Sequence, residues 1–152
     1  MGMARHHLQR EQFVARPLPE VAEFFSRAGN LALLTPPQMR FQLITPEPIE
    51  MRDGALIEYR LRVHGLPIRW VSRIEEWEEG RGFADRQLRG PYKHWLHHHT
   101  FEAVDGGTNV ADNIEYELPL GLLGEIGGMP LVRHDLDAIF EFRRQAVEKL
   151  LG

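Results

Sequence analysis

The spacing of apolar residues along this chain changes period as the chain proceeds, and each change marks an element. "HHLQREQFVAR" is largely polar until Phe13 and Val14 and reads as a first strand. In "PLPEVAEFFSRAGN", Val21, Phe24, Phe25 and Ala28 recur at i, i+3, i+4 and i+7, which is one face of a helix, and Gly29 is a suitable stop. Asn30 is placed to cap a second short helix, "LALLT", which Pro36 and Pro37 end.

The period then drops to two. "RFQLIT" alternates up to Pro46. "ALIEYRLRVHG" puts Ile57, Tyr59, Leu61 and Val63 on one face and Glu58, Arg60 and Arg62 on the other. "PIRWVSRIEEW" groups Ile68, Trp70, Ser72 and Ile74, and "GFADRQLRG" groups Phe83, Asp85 and Gln87. "HWLHHHTFEAV" and "TNVADNIEYEL" are two more strands, joined by "VDGGT", where Asp-Gly suits a two-residue turn with positive φ at its centre. After the glycine- and leucine-rich "LGLLGEIGGMP", Val132, Leu136, Ile139, Phe140, Arg143, Val147 and Leu150 trace a helical stripe. Acidic Asp135 and Asp137 lie early in this helix and Lys149 late, as its dipole prefers.

The predicted order is strand, two short helices, about six strands and one long helix, an α+β arrangement. Consecutive strands with short turns imply an antiparallel sheet, and the amphipathic C-terminal helix is its natural cover. A strongly curved sheet around one helix can leave a cavity between them.

Composition narrows the setting. The 152 residues suit one domain, residues 1–152, with a single core. A net charge of -4 gives neither a basic patch nor a nucleic-acid partner to expect. Without cysteine there is no thiolate metal site or cysteine nucleophile, which fits a cytoplasmic location. No apolar run is long enough to span a bilayer, so stable membrane insertion is not expected, nor is a signal peptide from "MGMARHHLQREQ".

The candidate chemistry lies in "HWLHHHT", and alternation divides it. With Asp105 and Gly106 central in the turn, Phe101 faces Val110, His99 faces Asp112, His97 faces Ile114 and Trp95 faces Tyr116. The apolar partners define the inward face, so His97 and His99 point in and His94, His98 and Thr100 point out. A slip of one residue would reverse every assignment. His99 and Asp112 become a cross-strand pair with Cβ atoms about 5 Å apart. Asp85 and Gln87 join the same side if Phe83 points inward.

Three readings stand for this polar stripe. It is a structural hydrogen-bond network, a set of groups that orients a ligand, or a His99–Asp112 acid/base pair helped by His97. A metal is not expected, because the nearby aspartates already account for the imidazoles. His6, His7 and His64 read as surface residues and His134 as a solvated helix position. Arg143 could reach a buried carboxylate or a ligand, but a course outward to solvent is favoured. "GLLGEIGG" lacks the ending and setting of a phosphate loop; its glycines suit a loop that moves over a cavity.

The stretches "NLALLTPPQMRFQLITPEPIEM", "GALIEYRLRVHGLPIRWVSRIEEW", "FADRQLRGPYKHWLHHHTFE", "GGTNVADNIEYELPLGLLG" and "IFEFRR" together resemble the SRPBCC superfamily. This is the START and birch-pollen-allergen-like, polyketide cyclase/dehydrase-like group, and the closer resemblance is to a bacterial ligand-binding branch. The resemblance implies a helix-grip fold: a curved antiparallel sheet of about seven strands around a long C-terminal helix, with two short helices after strand one. It also implies a cavity for a small hydrophobic or amphipathic ligand. The ligand-facing set is then Tyr59, Trp70, Asp85, Gln87, Trp95, His97, His99, Phe101, Asp112, Tyr116 and Arg143. Carriage or sensing without a cofactor is the expected function, and a homodimer is compatible with it. A cyclase or dehydratase using His99, Asp112 and His97 is the alternative, and a co-chaperone-like interaction module a third.

Overall fold

A computed structural model describes residues 5–119 and 128–152. The glycine-rich stretch read above as a moving loop lies at 121–128, and all of it but Gly128 falls outside them. Strand β1 (His6–Val14) leads into helix α1 (Leu18–Ser26), a 3-10 turn (Ala28–Asn30) and the one-turn helix α2 (Leu31–Leu34). Then follow β2 (Gln42–Leu43), β3 (Leu56–Val63), β4 (Leu66–Glu78), β5 (Gly82–Arg89), β6 (His94–Val104), β7 (Gly107–Glu117) and the long helix α3 (Met129–Leu151). The seven strands form one sheet in the order β1-β7-β6-β5-β4-β3-β2, with every neighbouring pair antiparallel. With its helices this is the helix-grip α+β fold.

Local chemistry accounts for most boundaries, and in four places it departs from expectation. Helix α1 ends at Ser26, before Gly29. Asn30 makes no N-cap bond to α2; its amide donates to the Phe24 carbonyl at 2.8 Å and so closes the end of α1. "RFQLIT" contributes only two ladder residues, paired Gln42 with Arg60 and Leu43 with Tyr59. In the β6–β7 turn only Gly106 takes a positive φ, of 80°. The turn with both central residues at positive φ is His64–Gly65 (50° and 80°), which joins β3 to β4.

Curvature comes from two irregularities in the β4–β5 ladder. Register shifts between Glu75 and Glu78, where Glu76 has a φ of 52°, and again between Val71 and Ser72. Such bulges bend a strand and increase its twist, and here they turn the sheet around α3. The helix presents Met129, Leu136, Phe140, Val147 and Leu151 to it. Burial of each stabilises by about 1.5–3 kcal/mol. Leu151 takes the place expected of Leu150, which is exposed.

Two apolar clusters result. One gathers Val21, Ile57, Ile74, Phe83, Phe101 and Val147 beneath α1, and the other gathers Trp70, Trp95, Ile114, Tyr116, Leu136 and Phe140. They meet at His97 and His99. Phe83 stacks on His99 at 4.5 Å, His99 on His97 at 3.7 Å, and His97 lies 6.1 Å from Phe140.

The outer face of β3–β5 carries arginines interleaved with carboxylates. Cross-strand pairing sets Arg60 opposite Arg69 and Arg73 opposite Arg86, with Arg89 beside them. Like charges directly opposite destabilise a sheet. Glu58 offsets this by binding Arg69 at 2.6 Å, and Glu75 binds both Arg73 (2.7 Å) and Arg86 (3.0 Å).

Candidate functional site

The β6–β7 register pairs Trp95 with Tyr116, His97 with Ile114, His99 with Asp112 and Phe101 with Val110. His97 and His99 are accordingly buried, at 5% and 7% exposure, while His98 reaches out to Glu76 at 2.8 Å. His94 also points away from the cavity but is only partly exposed. It packs 3.9 Å from Glu115, and its Nε2 has no hydrogen-bond partner among the described residues.

The hydrogen bonds do not follow the register. His97 Nε2 bonds Asp112 Oδ1 at 2.7 Å, and His99 Nε2 bonds Asp85 Oδ2 at 2.5 Å. The expected His99–Asp112 pair is 3.6 Å apart through Nδ1, too long for a hydrogen bond. His97 Nδ1 is 3.9 Å from Asp85 Oδ2. Two stacked imidazoles therefore stand between two carboxylates, each ring bonded to the carboxylate diagonal to it. Arg143 overturns its expected outward course: it bonds Asp112 at 3.2 Å, with its guanidinium 5.3 Å from the Phe25 ring and 5.6 Å from that of Phe140.

Electrostatics sort these groups. Burial pushes the His99 imidazole down to about 4, and the adjacent His97 reinforces this against the pull of Asp85 and Asp112. His99 is therefore neutral near pH 7, with its proton on the Nε2 that donates to Asp85. Burial opposes ionisation of Asp112, but the Arg143 charge and the His97 hydrogen bond outweigh it and hold this carboxyl well below the usual range. Asp85 is also lowered: burial opposes this, and the His99 hydrogen bond overcomes it. The remaining oddity is His99 Nδ1, a buried lone pair with no partner among the described residues.

These groups form one wall of a cavity of about 570 Å³ between sheet and helix. Of the sequence-predicted ligand residues, Tyr59, Trp70, Asp85, Trp95, His97, His99 and Arg143 line it; Gln87, Phe101, Asp112 and Tyr116 do not. Gln87 instead pins the β5–β6 loop through both ends of its amide: Nε2 donates to the Tyr92 carbonyl (2.8 Å) and Oε1 accepts from the Tyr92 N–H (3.1 Å). Phe101 stacks on Phe25 in the first cluster, at 5.6 Å. Asp112 stands behind the histidines, and Tyr116 belongs to the second cluster.

The aromatic wall is continuous. Tyr59 stacks on Trp70 at 5.9 Å, Trp70 meets Trp95 edge-on at 5.3 Å, and Tyr92 lies 4.7 Å from Trp95. Trp70 Nε1 donates to buried Ser72 Oγ at 2.9 Å, so its indole turns no unpaired polar atom toward the cavity. Burial raises the Tyr59 phenol well above its ordinary value, and it stays protonated.

Leu66 and Leu131, 67% and 51% exposed, line the same cavity and mark its mouth. His64, read as a plain surface residue, bridges that mouth by bonding Asp135 of α3 at 2.9 Å. Sequence reasoning missed Tyr92, His64 and Asp135 as cavity residues. The first two sit in connections, where no periodicity signals orientation.

No protein-family model and no curated protein sequence matches the chain. Solved structures do share its helix-grip fold. An aromatase/cyclase from a Streptomyces species has 18% identity over 95% of this chain and 92% of that one, with a TM-score of 0.74. A major latex-like protein of Panax ginseng has 14% identity over 99% of each chain, with a TM-score of 0.71. A nucleoside-diphosphate sugar epimerase of Corynebacterium glutamicum has 29% identity over 70% of this chain but only 24% of that one, with a TM-score of 0.58. These likenesses show the helix-grip fold and nothing finer. No helix among the described residues is long and apolar enough to cross a membrane.

Proposed function

We propose that this protein binds a small apolar or amphipathic molecule in the cavity between sheet and α3, as a carrier or sensor. The observation that carries the reading is the cavity itself. Its volume of about 570 Å³ lies within the roughly 300–1,000 Å³ of small-molecule sites. Its aromatic wall suits an apolar body, and the charged groups of Asp85 and Arg143 on its lining suit a polar end. A cavity of this size weighs against the co-chaperone-like reading, in which it would be vestigial. The acid/base reading loses support from the site geometry. His99 Nε2 is committed to Asp85 and its Nδ1 is sealed from solvent, so the neutral ring offers no free basic nitrogen to a substrate.

Mass spectrometry of molecules extracted from the purified protein identifies the ligand. Anilinonaphthalene sulfonate serves as a probe meanwhile. We expect micromolar binding, about 8 kcal/mol, weakened roughly tenfold or more by Trp70→Ala or Trp95→Ala, since each removes a large aromatic contact. Unchanged probe affinity in both variants places the site elsewhere.

A further inference from the structure

The geometry of the stacked histidines points to a second kind of ligand. We propose that Asp85, His97 and His99 bind a divalent first-row transition-metal ion at the cavity wall, with Asp112 as an outer carboxylate serving both rings. The site is independent of the apolar-ligand reading, because its donors need no cargo to assemble.

Three observations converge. First, one donor atom from each of the three residues lies within 4.8 Å of the other two, and all three residues line the cavity. Donors of one tetrahedral ion, each at about 2.1 Å, stand roughly 3.4 Å apart, so small side-chain rotations close the set. Two imidazoles and one carboxylate suit zinc, cobalt or iron(II), and leave a position open toward the cavity.

Second, the outer shell already exists. Imidazole ligands commonly donate their far N–H to a carboxylate, which fixes the ring and raises its basicity. His97 Nε2 is bonded to Asp112 at 2.7 Å, which leaves Nδ1 on the Asp85 side. Arg143 holds Asp112 in turn at 3.2 Å.

Third, the site explains the orphan. In the ion-free protein the His99 proton sits on Nε2, toward Asp85, and Nδ1 is a buried lone pair with no partner among the described residues. A metal on Nε2 displaces that proton, and the neutral ring then carries its hydrogen on Nδ1. That nitrogen lies 3.6 Å from Asp112 Oδ1 and needs only a small approach to donate to it. Both far nitrogens would then bond one carboxylate. The sequence reading set a metal aside because the aspartates satisfied the rings; in the folded chain they satisfy three of the four ring nitrogens at best.

The test is cobalt(II) titration of chelator-treated full-length protein, in a His6→Ala/His7→Ala background that removes an adventitious pair. We expect one ion per chain, visible d–d absorption of a low-coordinate site, and displacement by zinc. Asp85→Asn and His99→Gln should each weaken binding at least 100-fold, and Asp112→Asn roughly 10- to 100-fold. His98→Ala, on the opposite face, should leave binding unchanged. Imidazole nitrogen NMR of the same background protein with zinc covers the case of variants that fold poorly: the His99 proton should move from Nε2 to Nδ1. Absent or substoichiometric cobalt binding, binding that survives Asp85→Asn and His99→Gln, or zinc that leaves the His97 and His99 nitrogens unmoved overturns the proposal.

Discussion

Asp112→Asn probes how the site is held together, because it removes one charge and almost no volume. Asp112 is 6% exposed and accepts from His97 at 2.7 Å and from Arg143 at 3.2 Å. Without its carboxylate, the nearly buried Arg143 guanidinium keeps its ring neighbours Phe25 and Phe140, a contact of about 0.5–2 kcal/mol, and the more distant charge of Asp85. Breaking a buried ion pair from one side costs about 3–5 kcal/mol. The asparagine carbonyl still accepts from one donor, which recovers about 1 kcal/mol. We therefore expect a net loss of about 2–4 kcal/mol in chelator-treated protein, or roughly 4–16 °C in Tm for a chain of this size. Urea unfolding followed by tryptophan fluorescence measures it, and an unchanged m-value confirms that the native state is the one affected. The double variant Asp112→Asn/Arg143→Met should recover part of the loss, since it removes the stranded charge as well. A single-variant loss under about 0.5 kcal/mol, or strict additivity in the cycle, would mean that Asp112 does not neutralise Arg143.

Two further outcomes follow from the same wall. His99 is depressed to about 4 in the folded chain against about 6.5 unfolded, so between these values the unfolded state binds the extra proton. Chelator-treated protein should lose about 3 kcal/mol as pH falls from 6.5 to 4, and equilibrium unfolding across that window should show the loss greatly reduced in His99→Gln. Gly82→Ala should destabilise by more than about 2 kcal/mol in thermal unfolding, because a Cβ there runs into the His99 carbonyl oxygen, a backbone atom that cannot rotate away.

The inward face of β6 was legible because a side-chain period of two leaves little freedom once one turn is placed. Asp105–Gly106 sets the sum of every paired number, and the apolar partners Ile114 and Val110 then identify the buried side. This held although the turn adopts a different conformation from the one expected, since register depends on loop length as well as on φ. The hydrogen bonds were not legible for a geometric reason. Facing residues share a row, yet an imidazole nitrogen lies far enough from its Cα to reach the next row, and sheet twist decides which diagonal it reaches. His99 faces Asp112 across the ladder and bonds Asp85, the residue that faces His97.

Asp85 could not be ranked above Asp112 from sequence because its position depends on the β5–β6 join. The segment "RGPYKH" carries no two-residue turn signature, and Gln87 shapes it by bonding Tyr92, a contact that no periodicity announces. Arg143 poses the same difficulty in a helix. A 3.6-residue stripe says that it faces the sheet, but whether its guanidinium turns outward or reaches Asp112 depends on how closely α3 approaches β7. That distance is set by Phe140 and Val147 packing against a sheet bent by bulges at Glu76 and Val71–Ser72. Local pattern thus reaches as far as the choice of face. The chemistry of the wall begins one step later, where curvature brings α3, β5, β6 and β7 close enough for two imidazoles and a guanidinium to share two carboxylates.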